Sequence, residues 1–248
     1  ADGDWSSDVC SSDLVAEGIG WDLVTLFLAV PVMLAALTGL ARGTLRGKLL
    51  SVGMLAYFFY QYLMYAVTWA FGPLFLLFIA IYAGSLGGIV WIVSSVDLGS
   101  LPERFSDRFP RRGMAIFSVV MALMLIGMWL GRIVPAMQGE IDGLLVGQTT
   151  LVVQALDLGI VVPLAILTGV FAWMRRPAGY LLAAVFVVKG AAMAAAITAM
   201  VVSAWVIEGV PELPPLALFV AATVVALVLG VKIYRSAGEG DVPLQSEG

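Results

Sequence analysis

Seven polar side chains in this sequence stand where solubility gives them no reason to be: Tyr57, Tyr60, Gln61, Tyr65, Arg132, Asp157 and Lys189, all inside long apolar runs. Ionisable groups in hydrocarbon are costly, so they mark the first places to look for ion or solute chemistry. At 1.5 Å per helical residue, Arg132 lies roughly 27 Å along its run from Met114, and Asp157 roughly 27 Å from Arg175. Their common depth predicts a charge-assisted Arg132–Asp157 pair between neighbouring helices. Alternatively Asp157 titrates or binds a cation beside a helix break at Gly159 and Pro163, since proline frees a carbonyl one turn back. Lys189 falls close to mid-membrane, too deep to snorkel, and needs an acceptor. Tyr60 has the same expected depth. Tyr57, Gln61 and Tyr65 recur every four residues and lie along one helix face, as a hydrogen-bond ladder or the wall of a cavity.

The elements that must position these groups are membrane spans. Apolar residues make up 61% of the 248, charged ones 12%, and the mean hydropathy is +1.02, which leaves too little polar material for a water-facing surface. Seven runs long enough to cross a bilayer are expected, at about 21–40, 49–70, 73–96, 114–137, 151–174, 180–207 and 216–234. The fold class is therefore all-α, a polytopic transmembrane bundle forming one domain over 15–235. Gly84 with Gly88, and Gly190 with Ala191, Ala194 and Ala195, offer close helix contacts. Trp21, Trp69, Trp129 and Trp205 read as interfacial anchors. No internal repeat and no Gly-rich phosphate loop is visible.

The loops alternate in charge. Arg42, Arg46 and Lys48, then Arg104, Arg108, Arg111 and Arg112, then Arg175 and Arg176, and finally Lys232 and Arg235 mark one side, while Glu140, Asp142, Glu208 and Glu212 mark the other. The positive-inside rule makes the basic side cytoplasmic, with the carboxyl end inside and the start of the sequence outside a bacterial cytoplasmic membrane. Residues 236–248 lack apolar periodicity and are expected to be a disordered cytoplasmic tail.

Residues 4–14 resemble the conceptual translation of a sequencing-library adapter, and 1–14 are set aside as a non-native leader. Without Asp2, Asp4, Asp8 and Asp13 the 13 basic and 17 acidic residues become 13 and 13. The leader also contains Cys10, the one cysteine, and the chain has no histidine. Imidazole and thiolate chemistry have no residue to run on, so no metal, cofactor or catalytic residue is expected and an enzyme is disfavoured.

At Asp22-Leu23-Val24-Thr25, the Tyr-rich second span, Leu156-Asp157-Leu158-Gly159 with Pro163, and Arg175-Arg176-Pro177 leading to Val188-Lys189-Gly190, the chain resembles uncharacterised bacterial multi-pass membrane proteins. The resemblance carries no activity. It implies a further span before Trp21, giving eight, with an amino terminus inside the cell.

The leading functional expectation is a small-solute or ion transporter, or an accessory subunit of one. A membrane sensor or scaffold, meeting a membrane-protein partner or a second copy through the loop Asp97–Gly113, is the alternative. A retinal-binding protein attached through Lys189 is a third, opposed by the missing counter-ion carboxylate on the Tyr-rich helix. The lipid bilayer is the expected surrounding, and nucleic acid is not an expected partner.

Overall fold

The computed structural model describes residues 18–69, 71–139 and 150–238. The leader, Glu140, Asp142 and residues 239–248 lie outside the described residues. Seven helices are long and apolar enough to cross a bilayer: α1 (Gly18–Ala41), α2 (Leu45–Thr68), α3 (Phe75–Ser94), α4 (Arg111–Met137), α5 (Val152–Trp173), α6 (Pro177–Glu208) and α7 (Leu213–Ser236). A one-turn helix, Leu101–Arg104, sits in the α3–α4 loop. The protein is an all-α polytopic transmembrane bundle, with seven spans among the described residues.

Several helices begin earlier than hydropathy alone places them. The α2 helix starts before Arg46 and Lys48 because the Thr44 hydroxyl accepts the Gly47 N–H at 3.1 Å and caps the first turn. At the other end, Ser236 closes α7, and Ala237 bridges to Phe105 in antiparallel fashion. Order therefore runs past the expected start of the tail. Arg46 donates twice to the Ala237 carbonyl and Gly238 donates to the Arg104 carbonyl, fastening the end of α7 to the basic ends of α2 and the α3–α4 loop.

Helices α2 and α6 form the centre and are the most enclosed of the seven. They approach closely where Gly53 lies against Val188, too tightly for a β-carbon on Gly53. Around this pair, α1 and α3 pack on α2, α5 and α7 pack on α6, and α4 packs on α5. Of the expected small-residue contacts, Gly88 meets Leu55 of α2, whereas Gly84 and Gly190 face open space.

The structure corrects the reading that the chain has no repeat. A π-helical segment interrupts α1 at Thr25–Ala29 and α5 at Asp157–Val161, the α-helical remainders are Val30–Ala41 and Val162–Trp173, and the next helices start at Leu45 and Pro177. Each boundary lies 132 positions after its counterpart (25 to 157, 30 to 162, 45 to 177). The turns repeat bond for bond. Residues 42, 43 and 44 donate to the carbonyls of 38, 40 and 39, and residues 174, 175 and 176 donate to those of 170, 172 and 171. Gly43 and Arg175 both take left-handed backbone angles, φ 71° and 55°. Gly47 and Gly179 press equally hard on the backbone of the preceding helix, at Gly39 and Phe171. The α2–α3 and α6–α7 packings are likewise the two most extensive in the molecule. The first span, its turn and the start of the second span in α1–α2 thus repeat in α5–α6, running in the same direction and meeting at α2 and α6; beyond them the register lapses, α3 and α7 starting 138 positions apart (75 and 213). Among the described residues nothing packs on α1 as α4 packs on α5.

Candidate intramembrane polar site

The π segment of α5 begins at Asp157, whose carbonyl accepts from the Val162 N–H, five residues on. Pro163, second in the α-helical stretch that follows, has no N–H to offer, and the wide turn carries the helix past it without a break. The expected helix break at Gly159 and Pro163 is therefore a bulge in a continuous helix. Such bulges recur at functional sites because they turn side chains out of register with the rest of the helix.

Asp157 is 9% exposed, and each carboxylate oxygen has a donor from another span. The Tyr60 hydroxyl of α2 donates to Oδ1 at 2.5 Å, and the Trp129 indole N–H of α4 donates to Oδ2 at 2.8 Å. Both bonds lie away from water, where an unmatched carboxyl group would be costly. The Lys189 Nζ of α6 rests over the Tyr60 ring, 4.3 Å from its centroid, and also feels the Asp157 carboxylate. The two effects reinforce each other. A phenol that donates to a carboxylate gains electron density in its ring, and a richer ring face attracts a cation more strongly. Tyr60 therefore mediates between the charges, and four spans supply the centre.

The expected Arg132–Asp157 pair is not formed. Arg132 is exposed, and its guanidinium lies 5.8 Å from the ring centroid of Trp129. The place expected for Arg132 is taken by Trp129, one turn earlier on α4. Tyr60 does lie beside Lys189, as their common depth suggests, but it offers the ammonium its ring face and not a hydroxyl acceptor, the hydroxyl being turned to Asp157.

Tyr57, Gln61 and Tyr65 face α1 instead. The Tyr57 hydroxyl is 2.7 Å from Thr25 Oγ1, which donates to the Trp21 carbonyl, and the Tyr65 hydroxyl donates to Asp22 Oδ1 at 3.0 Å. Gln61 is 1% exposed and neither amide atom has a well-formed hydrogen bond; the group is close enough to interact with Tyr65. Trp21 Nε1 is similarly buried near Tyr57 without a well-formed bond. The residues singled out from sequence thus divide into an ionic set at α2, α4, α5 and α6 and a neutral-to-acidic set at α1 and α2. Both line one apolar cluster that includes Trp21, Tyr57, Tyr60, Met193 and Ala196.

The two sets occupy related places in the two units. Thr25 opens the first π segment as Asp157 opens the second, and Tyr57 precedes Lys189 by the same 132 positions. Sequence reasoning missed Trp129, Trp21, Asp22 and Thr25 as members of the sets. For the tryptophans it read an indole near a span end as an anchor, although an N–H on an otherwise apolar ring is a donor that hydrocarbon tolerates well. Among the described residues, no three of His, Cys, Asp and Glu gather as a metal would require.

These features define an integral membrane protein built from two parallel units, with a carboxylate–phenol–ammonium centre between them. Comparison of the chain with protein-family models, with curated proteins and with solved structures gives no match in any of the three.

Proposed function

We propose that the chain is a small-solute or ion transporter of the bacterial cytoplasmic membrane, or an accessory subunit of one, with its basic end in the cytoplasm. The observation that carries this reading is the Tyr60–Asp157 hydrogen bond, which crosses from the first unit to the second at a π segment. Repeated-unit transporters commonly place their sites at the repeat interface on interrupted helices, and move by rocking one repeat against the other. An ionised Asp157 accepts from Tyr60 and Trp129 together. A proton or cation on the carboxylate removes one of these acceptors and weakens one tie between spans. Occupancy of Asp157 is in this way linked to how tightly the units hold each other.

The test is flux in proteoliposomes with Asp157→Asn and Lys189→Met. Loss of proton- or cation-coupled flux from folded variants is expected. Unchanged flux in both, with folding intact, sinks the reading.

A scaffold role remains the second reading, favoured by one observation: the α3–α4 loop is fastened to Ala237 and Gly238 at the basic end and so presents a fixed surface. A partner retained in mild detergent, and lost when Arg111 and Arg112 are replaced, would support it over transport.

A further inference from the structure

A second polar site lies at the basic end, well apart from Asp157. A cavity of about 200 Å³ opens between the turn at Gly43, the start of α2 and the loop after α3, lined by Lys48, Ser95, Asp97, Ser100 and Arg104. That volume holds several water molecules, enough for a phosphate group and part of what it is attached to.

The donors in it are incompletely used. Lys48 Nζ gives one hydrogen bond, to the Ser95 carbonyl at 2.9 Å, out of the three an ammonium can make. The Nε of Arg104 is buried and has no hydrogen-bond partner. An oxygen anion is the partner that the planar fork of a guanidinium fits best. The polar groups beside these donors make local bonds. Asp97 accepts the Gly99 N–H at 3.0 Å, and the Ser95 and Ser100 hydroxyls both donate to backbone carbonyls of their own turns. Two cations against one carboxylate, whose Oδ1 accepts the Gly99 N–H, leave the cavity net positive.

Its height in the bundle narrows the ligand. The cavity sits where α2 begins and α3 ends, at the level where apolar spans give way to basic residues. Phosphates of a bilayer leaflet occupy that level, and basic pockets between spans are suited to anionic headgroups.

We infer that Lys48 and Arg104 form a binding site for a phosphate group, carried by an anionic lipid headgroup or free in solution. Arg104 supplies the directional contact and Lys48 the second charge. The site does not depend on the transport reading, since its readout is binding and not flux.

The test is native mass spectrometry of the full chain, purified with phosphatidylglycerol or with phosphatidylcholine, and separate titration with inorganic phosphate. Wild-type protein should retain one phosphatidylglycerol in preference to phosphatidylcholine. Arg104→Gln and Lys48→Gln should each weaken retention about tenfold, some 1.4 kcal/mol. Arg108→Gln, at the same end but outside the cavity, should leave it unchanged, and Arg104→Lys should keep part of it. Binding of inorganic phosphate that is sensitive to Arg104→Gln, without lipid preference, assigns the same site to a soluble phosphate. Retention unaltered in both Gln variants, or lost equally in Arg108→Gln, overturns the inference.

Discussion

Tyr57 and Lys189 hold the same place in two repeated helix pairs, 132 positions apart, and each is coupled to the residue that opens its own π segment. Tyr57 meets Thr25 directly at 2.7 Å, whereas Lys189 meets the field of Asp157 with the Tyr60 ring against its Nζ. One backbone scaffold thus holds a hydrogen-bonded neutral pair in the first unit and, in the second, a lysine and a carboxylate joined through the Tyr60 side chain.

Exchanging the charged pair for the neutral one tests this equivalence. Asp157→Thr alone leaves Lys189 without its counter-charge and frees the donors of Tyr60 and Trp129, so it should cost more than Asp157→Thr combined with Lys189→Tyr by about 1 kcal/mol or more. Unfolding in detergent by denaturant titration measures both. A double variant no more stable than the single one would remove the argument from equivalence.

Trp129 and Arg132 separate cleanly by their partners. Trp129→Phe deletes a hydrogen bond to Asp157 and should cost about 1–2 kcal/mol, within the range for polar contacts between spans. Arg132→Ala deletes only an exposed stacking contact and should stay within about 0.5 kcal/mol. The reverse order in an unfolding titration would restore the Arg132–Asp157 pair expected from the sequence.

Two functions of Tyr60 can be split by its replacements. Tyr60→Phe keeps the ring under Lys189 and loses the bond to Asp157, while Tyr60→Leu loses both. The second should exceed the first by about 0.5–2 kcal/mol, the value of a cation over an aromatic face. In a Lys189→Met background that difference should shrink to the packing change alone, which a double-mutant cycle reads directly.

The two turns predict opposite responses. Arg175 adopts the left-handed angle that Gly43 adopts without strain, so Arg175→Gly should be neutral or stabilising by up to about 1 kcal/mol, and Gly43→Ala destabilising by about 1 kcal/mol. Gly47→Ala and Gly179→Ala should both be severe, because each new β-carbon meets backbone. Gly84→Ala, with open space around it, should be tolerated. Thermal unfolding of the five variants checks the set.

The spans were legible in the sequence because twenty-residue apolar runs and alternating loop charge leave few other arrangements. Lys189 and Tyr60 were legible as neighbours because rise per residue converts position into depth. The duplication was not legible. Val30-Pro31 matches Val162-Pro163, Gly47 matches Gly179 and Leu49-Leu50 matches Leu181-Leu182, but between these points one apolar residue has replaced another with no trace of ancestry. The polar positions, which carry more information, differ outright: Thr25 against Asp157, Tyr57 against Lys189, Gly43 against Arg175. Backbone hydrogen bonds preserve the correspondence where the side chains do not. Arg132 misled for a related reason, since depth alone does not say which side of a helix faces its neighbour.

The bond from Tyr60 to Asp157 gives the site a genetic signature. Its donor and its acceptor are encoded in different repeats, Tyr60 in the first and Asp157 in the second, so neither half of the pair contains a complete centre. A copy damaged at Tyr60 and a copy damaged at Asp157, placed in the same cell, each retain the half that the other lacks. Rescue between two such copies would require their halves to trade places in the membrane, and failure of rescue would mean that the centre is assembled strictly within one polypeptide.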